Sequence, residues 1–305
     1  MARPLAPAAG NLADESRPAR RAFRIGAGPL FILPTMALLA ILILYPVVST
    51  VILSFTDAAG RYVGGDNYAA AFRSSSTIRV IFNTIYYVAG SVILQLVIGV
   101  AAGILLNQKF RGRAMVRSLM LIPWVIPGIV AAMTWAWMFH TDYGIVNYAL
   151  VSLGIIDQPV GWLTNPSTVM PALIAVNAWK MFPFVAVMVL AGLQSVPEEL
   201  YEAARVDGAQ FRHEVWHIML PQLRPVLVAI TLLLVIWGLD GITIIYSMTG
   251  GGPAGRSMIF PIQIYAMAFE FFEFNRAAAL SVVYFLLIVG LIALYLRAFA
   301  PQEND

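Results

Sequence analysis

Apolar residues fill this chain in long unbroken blocks, and polar residues are confined to the intervals between them. Six blocks stand out, approximately Pro29–Phe55, Val80–Leu106, Met115–Phe139, Thr168–Leu193, Val226–Met248 and Ala277–Phe299. Each is close to or above the ~20 apolar residues that carry a helix across a bilayer. The runs are continuous rather than alternating, which fits helices and not barrel strands. One polar interval, Ser195–Pro225, is long enough to hold structure of its own. The pattern predicts an all-α integral membrane protein with six transmembrane helices. It comprises a tail over residues 1–28, a membrane domain over 29–300 and a structured loop over 195–221 within it.

Composition agrees with the pattern and excludes other classes. Of 305 residues, 60% are hydrophobic and 11% charged, against about 25% charged in an ordinary soluble domain. A soluble enzyme or a nucleic-acid binder does not fit, because a net charge of +3 spread over this length makes no basic patch. The absence of cysteine rules out a disulfide scaffold, a thiolate metal site and a cysteine nucleophile. His213 and His217 stand four apart, and a solvated helix face accounts for them better than a metal site. The Ala-, Pro- and Arg-rich tail is expected to be disordered, and the first block to be an uncleaved anchor. Thirteen of the nineteen Lys and Arg lie in the tail, in the second-to-third and fourth-to-fifth connections and at the C-terminus. Five lie in the other connections, and Lys180 is inside a block. By the positive-inside rule both termini and the 195–221 loop are cytoplasmic.

That loop is the most informative segment. Ser195 and Glu198 have the spacing of a capping box, with Pro197 in the first turn. Leu200, Ala203, Ala204 and Asp207 then share a small, flat helix face, and Gly208 suits the tight turn that would end it. A second short helix follows, with Phe211, Val215, Ile218 and Met219 on one side and Pro221 as its expected end. Helices that lie on lipid favour Lys and Arg. Here Glu198, Glu199, Glu202, Asp207 and Glu214 outnumber the arginines, so docking to another protein is the better expectation.

The run EAARVDGA at 202–209, continuing to IMLP at 218–221, resembles the EAA motif of ABC-importer permeases. LIPWVIPG (121–128), GWLTNP (161–166), VNAWKMFPF (176–184) and MTGGGP (248–253) are similar to stretches of the carbohydrate, maltose-permease-like group. The resemblance implies a type I importer permease fold, N-in and C-in, whose loop is a cytoplasmic coupling helix. Glu202, Ala203, Ala204, Asp207, Gly208 and Ala209 would then dock in a cleft of a separate ATPase dimer. It also implies a second homologous permease, forming a heterodimer, and an extracellular sugar-binding protein docking on Gly144–Pro166 and Gly250–Pro253. The chain would be a non-catalytic subunit in the bacterial plasma membrane, with ATP and Mg on the partner ATPase and no cofactor of its own. In keeping with this, no G-x-x-x-x-G-K-[ST] run occurs in the chain. The expected cargo is a sugar, a disaccharide such as trehalose. Another oligosaccharide or glycerol phosphate is the alternative.

Charged groups inside spans are costly and therefore functional suspects. Lys180 and Asp240 are the two clear cases, at depths differing by ~6 Å at 1.5 Å per residue. They suit either an ion pair that locks two helices together or hydrogen bonds to a sugar. Asn177 and the aromatic Trp124, Trp179 and Trp237 supply the other groups a sugar needs. Carried over by motif, the substrate contacts fall at Trp124, Gly128, Asn177, Lys180, Met181, Trp237, Gly238, Asp240 and Gly241. An ion-coupled transporter using Lys180 and Asp240 as a proton relay would leave the loop unexplained. A membrane enzyme finds no nucleophile–base spacing.

Overall fold

The computed structural model describes residues 27–73 and 75–299. Among these the chain is helices and turns, with one isolated bridge between Thr56 and Tyr62 and no strand. Five helices are long and apolar enough to cross a membrane: Phe31–Ser54, Ser76–Asn107, Val169–Gln194, Phe211–Thr249 and Phe274–Phe299. They correspond to predicted spans 1, 2, 4, 5 and 6. The expected tail lies outside the described residues as far as Gly26, and its last two residues, 27 and 28, are in helix. The chain divides into two units that part between Val48 and Ser49. The first holds most of span 1; the second holds everything discussed below.

Span 3 departs from the straight helix predicted over Met115–Phe139. It consists of Arg113–Val125 and Gly128–Met138, which meet at 96°. The cause is local. Pro127 has no N–H to continue the ladder and disfavours helical backbone in the residue before it. Ile126 accordingly sits at φ −60°, ψ 132°.

Spans 2 and 4 form the closest helix pair. A Cβ added to Gly99 would stand 2.4 Å from Val185 Cβ, and one added to Gly103 would stand 2.6 Å from Val189 Cγ1. The two glycines are spaced G-x-x-x-G, and their missing side chains let the backbones approach. Gly90 meets Ile174 in the same way. The contacts climb together along both chains, so spans 2 and 4 run parallel. A chain joining two parallel spans must recross the membrane once, and the bent pair supplies that crossing. Six spans result. Around the seam Tyr87, Leu173, Leu223, Ile230, Ile245 and Phe260 are buried together. Phe82, Val97, Leu105 and Leu286 instead remain more than half exposed, an apolar exterior that suits lipid.

The polar interval between spans 4 and 5 is an elbow, with two corrections to its predicted details. Ser195 Oγ donates to the Gly192 carbonyl at 2.8 Å, closing the last turn of span 4, so the expected Ser195–Glu198 box does not form. Pro197, in extended backbone, precedes the helix Glu198–Val206. Gly208 ends it at φ +82°, as expected. Pro221 does not end the second helix, which runs on from Phe211 past it to Leu239. Val215–Met219 is a π turn, so the hydrogen-bond ladder is already displaced just ahead of that proline.

On the far side the two glycine-rich or proline-rich stretches are tied down. Asn83 on span 2 donates to the carbonyls of Gly255 and Met258 at 3.0 and 2.9 Å, fixing the turn after span 5. Buried Asn147 donates to the Thr141 and Val160 carbonyls and accepts from Trp162 Nε1 at 2.9 Å, which shapes the stretch before span 4.

Candidate functional sites at the elbow and at the helix breaks

The elbow helix turns Tyr201 inward and leaves Glu202, Ala203, Asp207 and Gly208 exposed, while Ala204 and Ala209 are half-buried. Val206 is 88% exposed, and Leu200, Phe211 and Trp216 are also exposed. These exposed apolar side chains share the elbow with the exposed acids Glu198, Glu199, Glu202 and Asp207, a composition that suits a protein partner better than lipid headgroups. Inward, Arg205 Nε donates to Glu214 Oε1 at 2.8 Å and joins the two elbow helices. Lys109 approaches Glu198 at 4.0 Å with both side chains exposed, a contact of little energetic weight. His213 Nδ1 accepts the Gln210 N–H at 3.2 Å and so caps the second helix. Among the described residues no three His, Cys, Asp or Glu converge on a metal position.

The second site lies where spans 3 and 5 are both interrupted. Span 5 breaks at Asp240–Gly241, between Leu220–Leu239 and Ile242–Thr249. The break in span 3 lies beside it, since a Cβ on Gly128 would sit 3.2 Å from Thr243 Cγ2. Irregular backbone at membrane depth is tolerated only where it is covered by protein or lines a wet cavity.

Of the two roles expected for Lys180, the structure does not show the ion pair with Asp240. Its Nζ donates to the carbonyl of Ile126 at 2.5 Å, and among the described residues it forms no ion pair with Asp240. Ile126 has lost its helical partner at the bend, and a cation at the C-terminal end of Arg113–Val125 also complements the helix dipole. Lys180 is thus a cap reaching from span 4. Asp240 is exposed at its own break, with its N–H bonded to the Ile236 carbonyl at 3.2 Å.

Trp124 and Trp237 are brought together through a residue not singled out from sequence, Phe184. Its ring lies 5.8 Å from Trp124 and 5.0 Å from Trp237, so spans 3, 4 and 5 each contribute one ring to a row. Phe184 follows Lys180 by four residues and shares its helix face. Asn177 and Met181 are half-buried on span 4, and the Asn177 carbonyl accepts from buried Gln95 at 3.4 Å. Trp179 packs edge-on against Trp135 at 5.3 Å and takes no part in the row. Gly238 and Gly241 face Val88 and Tyr87 of span 2, so they serve packing at the break.

Removing the Lys180 cap leaves a half-buried carbonyl unpaired. A hydrogen bond to a charged group is worth about 1.5–3 kcal/mol. Lys180→Met is therefore expected to cut maximal transport rate roughly tenfold or more, at about 1.4 kcal/mol per tenfold, while apparent substrate affinity shifts less. Initial-rate uptake against substrate concentration separates the two. A large loss of affinity at unchanged maximal rate would make Lys180 a substrate ligand instead of a cap.

A helical membrane protein with an exposed elbow and interrupted helices at its centre has the build of a non-catalytic transport subunit. Residues 95–301 match the family described as binding-protein-dependent transport system inner membrane component, and the chain belongs to that family. It is 34% identical over 278 residues to the trehalose/maltose transport system permease protein MalF of Thermococcus litoralis, covering 88% of this chain and 92% of that one. It is 34% identical over 280 residues to the sulfoquinovosyl glycerol transport system permease protein SmoG of Agrobacterium fabrum, covering 90% of each. The fold matches a chain of the crystal structure of a bacterial alginate ABC transporter in complex with alginate pentasaccharide-bound periplasmic protein. The TM-score is 0.81 at 21% identity, covering 92% of this chain and 96% of that chain.

Proposed function

We propose that this chain is one of two permease subunits of an ATP-driven importer for a sugar, a disaccharide such as trehalose. In this reading it sits in the bacterial plasma membrane with both termini and the elbow in the cytoplasm. A separate ATPase dimer holds ATP and Mg and grips Glu202, Ala203, Ala204, Asp207, Gly208 and Ala209. An extracellular sugar-binding protein delivers cargo to the far side. The observation that carries the proposal is the elbow's exposed apolar side chains alongside its exposed acids, because a transporter driven by an ion gradient has no use for them.

The choice of a sugar draws support from the names of the relatives and from the aromatic row. Ring faces of Trp124, Phe184 and Trp237 suit the C–H surface of a pyranose, and the exposed Asp240 carboxylate suits its hydroxyls. Asn177 and Met181 are further contact candidates on span 4. Glycerol phosphate is the weaker alternative, since the Lys180 ammonium is engaged by the Ile126 carbonyl.

Purification of the complex tests the assembly, and proteoliposomes with the cognate binding protein test the cargo. An ATPase and a second permease should accompany the chain. Labelled trehalose should enter only with ATP and should be competed less by sulfoquinovosyl glycerol than by trehalose itself. Uptake driven by an ion gradient without any ATPase would overturn the assignment.

A further inference from the structure

Glu214 is an unusual carboxylate for the edge of a membrane protein. It is 5% exposed, although it opens a helix that faces the polar side of the elbow. Burying a carboxylate is unfavourable unless a cation and hydrogen bonds compensate it. Arg205 supplies both. Its Nε lies 2.8 Å from Oε1 and its Nη2 lies 3.4 Å from Oε2, a forked contact that fixes orientation as well as distance. The hydrogen bond and charge of Glu214 in turn hold the guanidinium pKa above its ordinary value. Tyr201, one turn earlier on the same face, is buried behind the pair, and its hydroxyl has no hydrogen-bond partner among the described residues. Burial and the nearby Glu214 charge push that phenol up.

The placement of the pair matters more than its strength. Arg205 belongs to the elbow helix Glu198–Val206, whereas Glu214 belongs to the helix that runs on as span 5 to the break at Asp240. Between them stands the Gly208 turn, with open space around its Cα and the backbone freedom of a glycine at φ +82°. Left to itself that turn would flex. The displaced ladder at Val215–Met219 is a second soft point on the same path.

We infer that the Arg205–Glu214 pair is a strut across the Gly208 turn, making the elbow helix and span 5 one rigid lever. The inference rests on the coupling role proposed above. Arg205 and Glu214 are positioning residues: they touch no cargo, and they determine whether displacement of the elbow arrives at the mid-membrane break or is absorbed in the turn.

The test uses the purified complex with its ATPase, second permease and binding protein in proteoliposomes. Glu214→Gln keeps the shape and removes the charge. The variant complex is expected to assemble, and ATP hydrolysis to stay within about twofold of the parent. Sugar imported per ATP should fall at least tenfold, with the apparent KM for sugar unchanged. Arg205→Met should match it. The exchange Arg205→Glu with Glu214→Arg should restore at least half of the lost ratio. An unchanged import-to-ATP ratio in Glu214→Gln overturns the strut, and so does an exchanged pair that assembles but stays at the level of the single variants. Loss of assembly in Glu214→Gln overturns it too, because the pair would then hold the docking surface and not the lever. Failure of the parent chain to co-purify with an ATPase is a different result, which overturns the coupling role itself.

Discussion

Glu202→Lys is expected to lower uptake at least a hundredfold while the chain still inserts and folds. The side chain is exposed on the elbow helix, beside Ala203 and the 88% exposed Val206, and its carboxylate makes no hydrogen bond or ion pair within the described residues that the substitution would break. Most of its cost falls on the docked state, since within the chain Glu202 supplies only the smallest of the favourable charge interactions felt by Arg205. In the proposed docked complex, enclosing a charge of the wrong sign without a counter-ion costs about 3–5 kcal/mol, or roughly two to three powers of ten in the stability of that complex. Gly208→Val acts on the same interface by another route. No atom lies within 4 Å of the added Cβ, so the penalty is backbone strain at φ +82° and not crowding. That strain is about 1–2 kcal/mol for a residue with a Cβ, so Gly208→Val should be the milder variant and Gly208→Asn milder still. Co-purification of the ATPase and ATP-dependent uptake measure both effects. Retention of both by Glu202→Lys would remove the elbow from the coupling path.

The second large effect is on stability. Gly99→Val and Gly103→Val each force a side chain into the span 2–span 4 seam, where the added Cβ would lie 3.0 Å from the Phe182 carbonyl and 2.9 Å from the Ala186 carbonyl respectively. Side chains can rotate aside, but carbonyls of a packed helix cannot, so the helices must part. Overpacking of this kind costs typically about 1–3 kcal/mol per site and occasionally more. Both changes press on one contact, so the double variant is expected to lose most of its folded yield. Gly290→Val in span 6 is the matched control, since nothing lies within 4 Å of its added Cβ. Thermal unfolding of the purified complex should separate them. A seam variant melting with the Gly290→Val control would show that the seam is not tight.

Much of this was legible in the chain because membrane burial writes long, simple signals. Span existence, the elbow and the Gly208 turn follow from apolar length and from residue types with strong backbone preferences. What escaped was local competition. Pro127 lies inside an apolar run that reads as continuous, and only its effect on Ile126 turns one span into two halves at 96°. Pro221 misleads in the opposite sense, since a π turn ahead of it lets the helix pass. The Lys180–Asp240 pair was a fair inference from depth, but depth says nothing of azimuth. The carbonyl at the bend that Lys180 caps exists only because span 3 is broken. Phe184 carries no sequence signal of its own, because an aromatic residue in a span usually packs on lipid or core. The glycine spacing at 99–103 was a readable seam signal, and its meaning lay in the partner it faces.

That seam also decides how motion is shared out. Two helices in backbone contact have no side-chain layer to shear through, so spans 2 and 4 must travel as one plank. Whatever opens one face of the membrane and closes the other is left to the joints at Ile126–Pro127 and Asp240–Gly241. The static half of the machine is therefore written in glycine, the residue usually credited with flexibility.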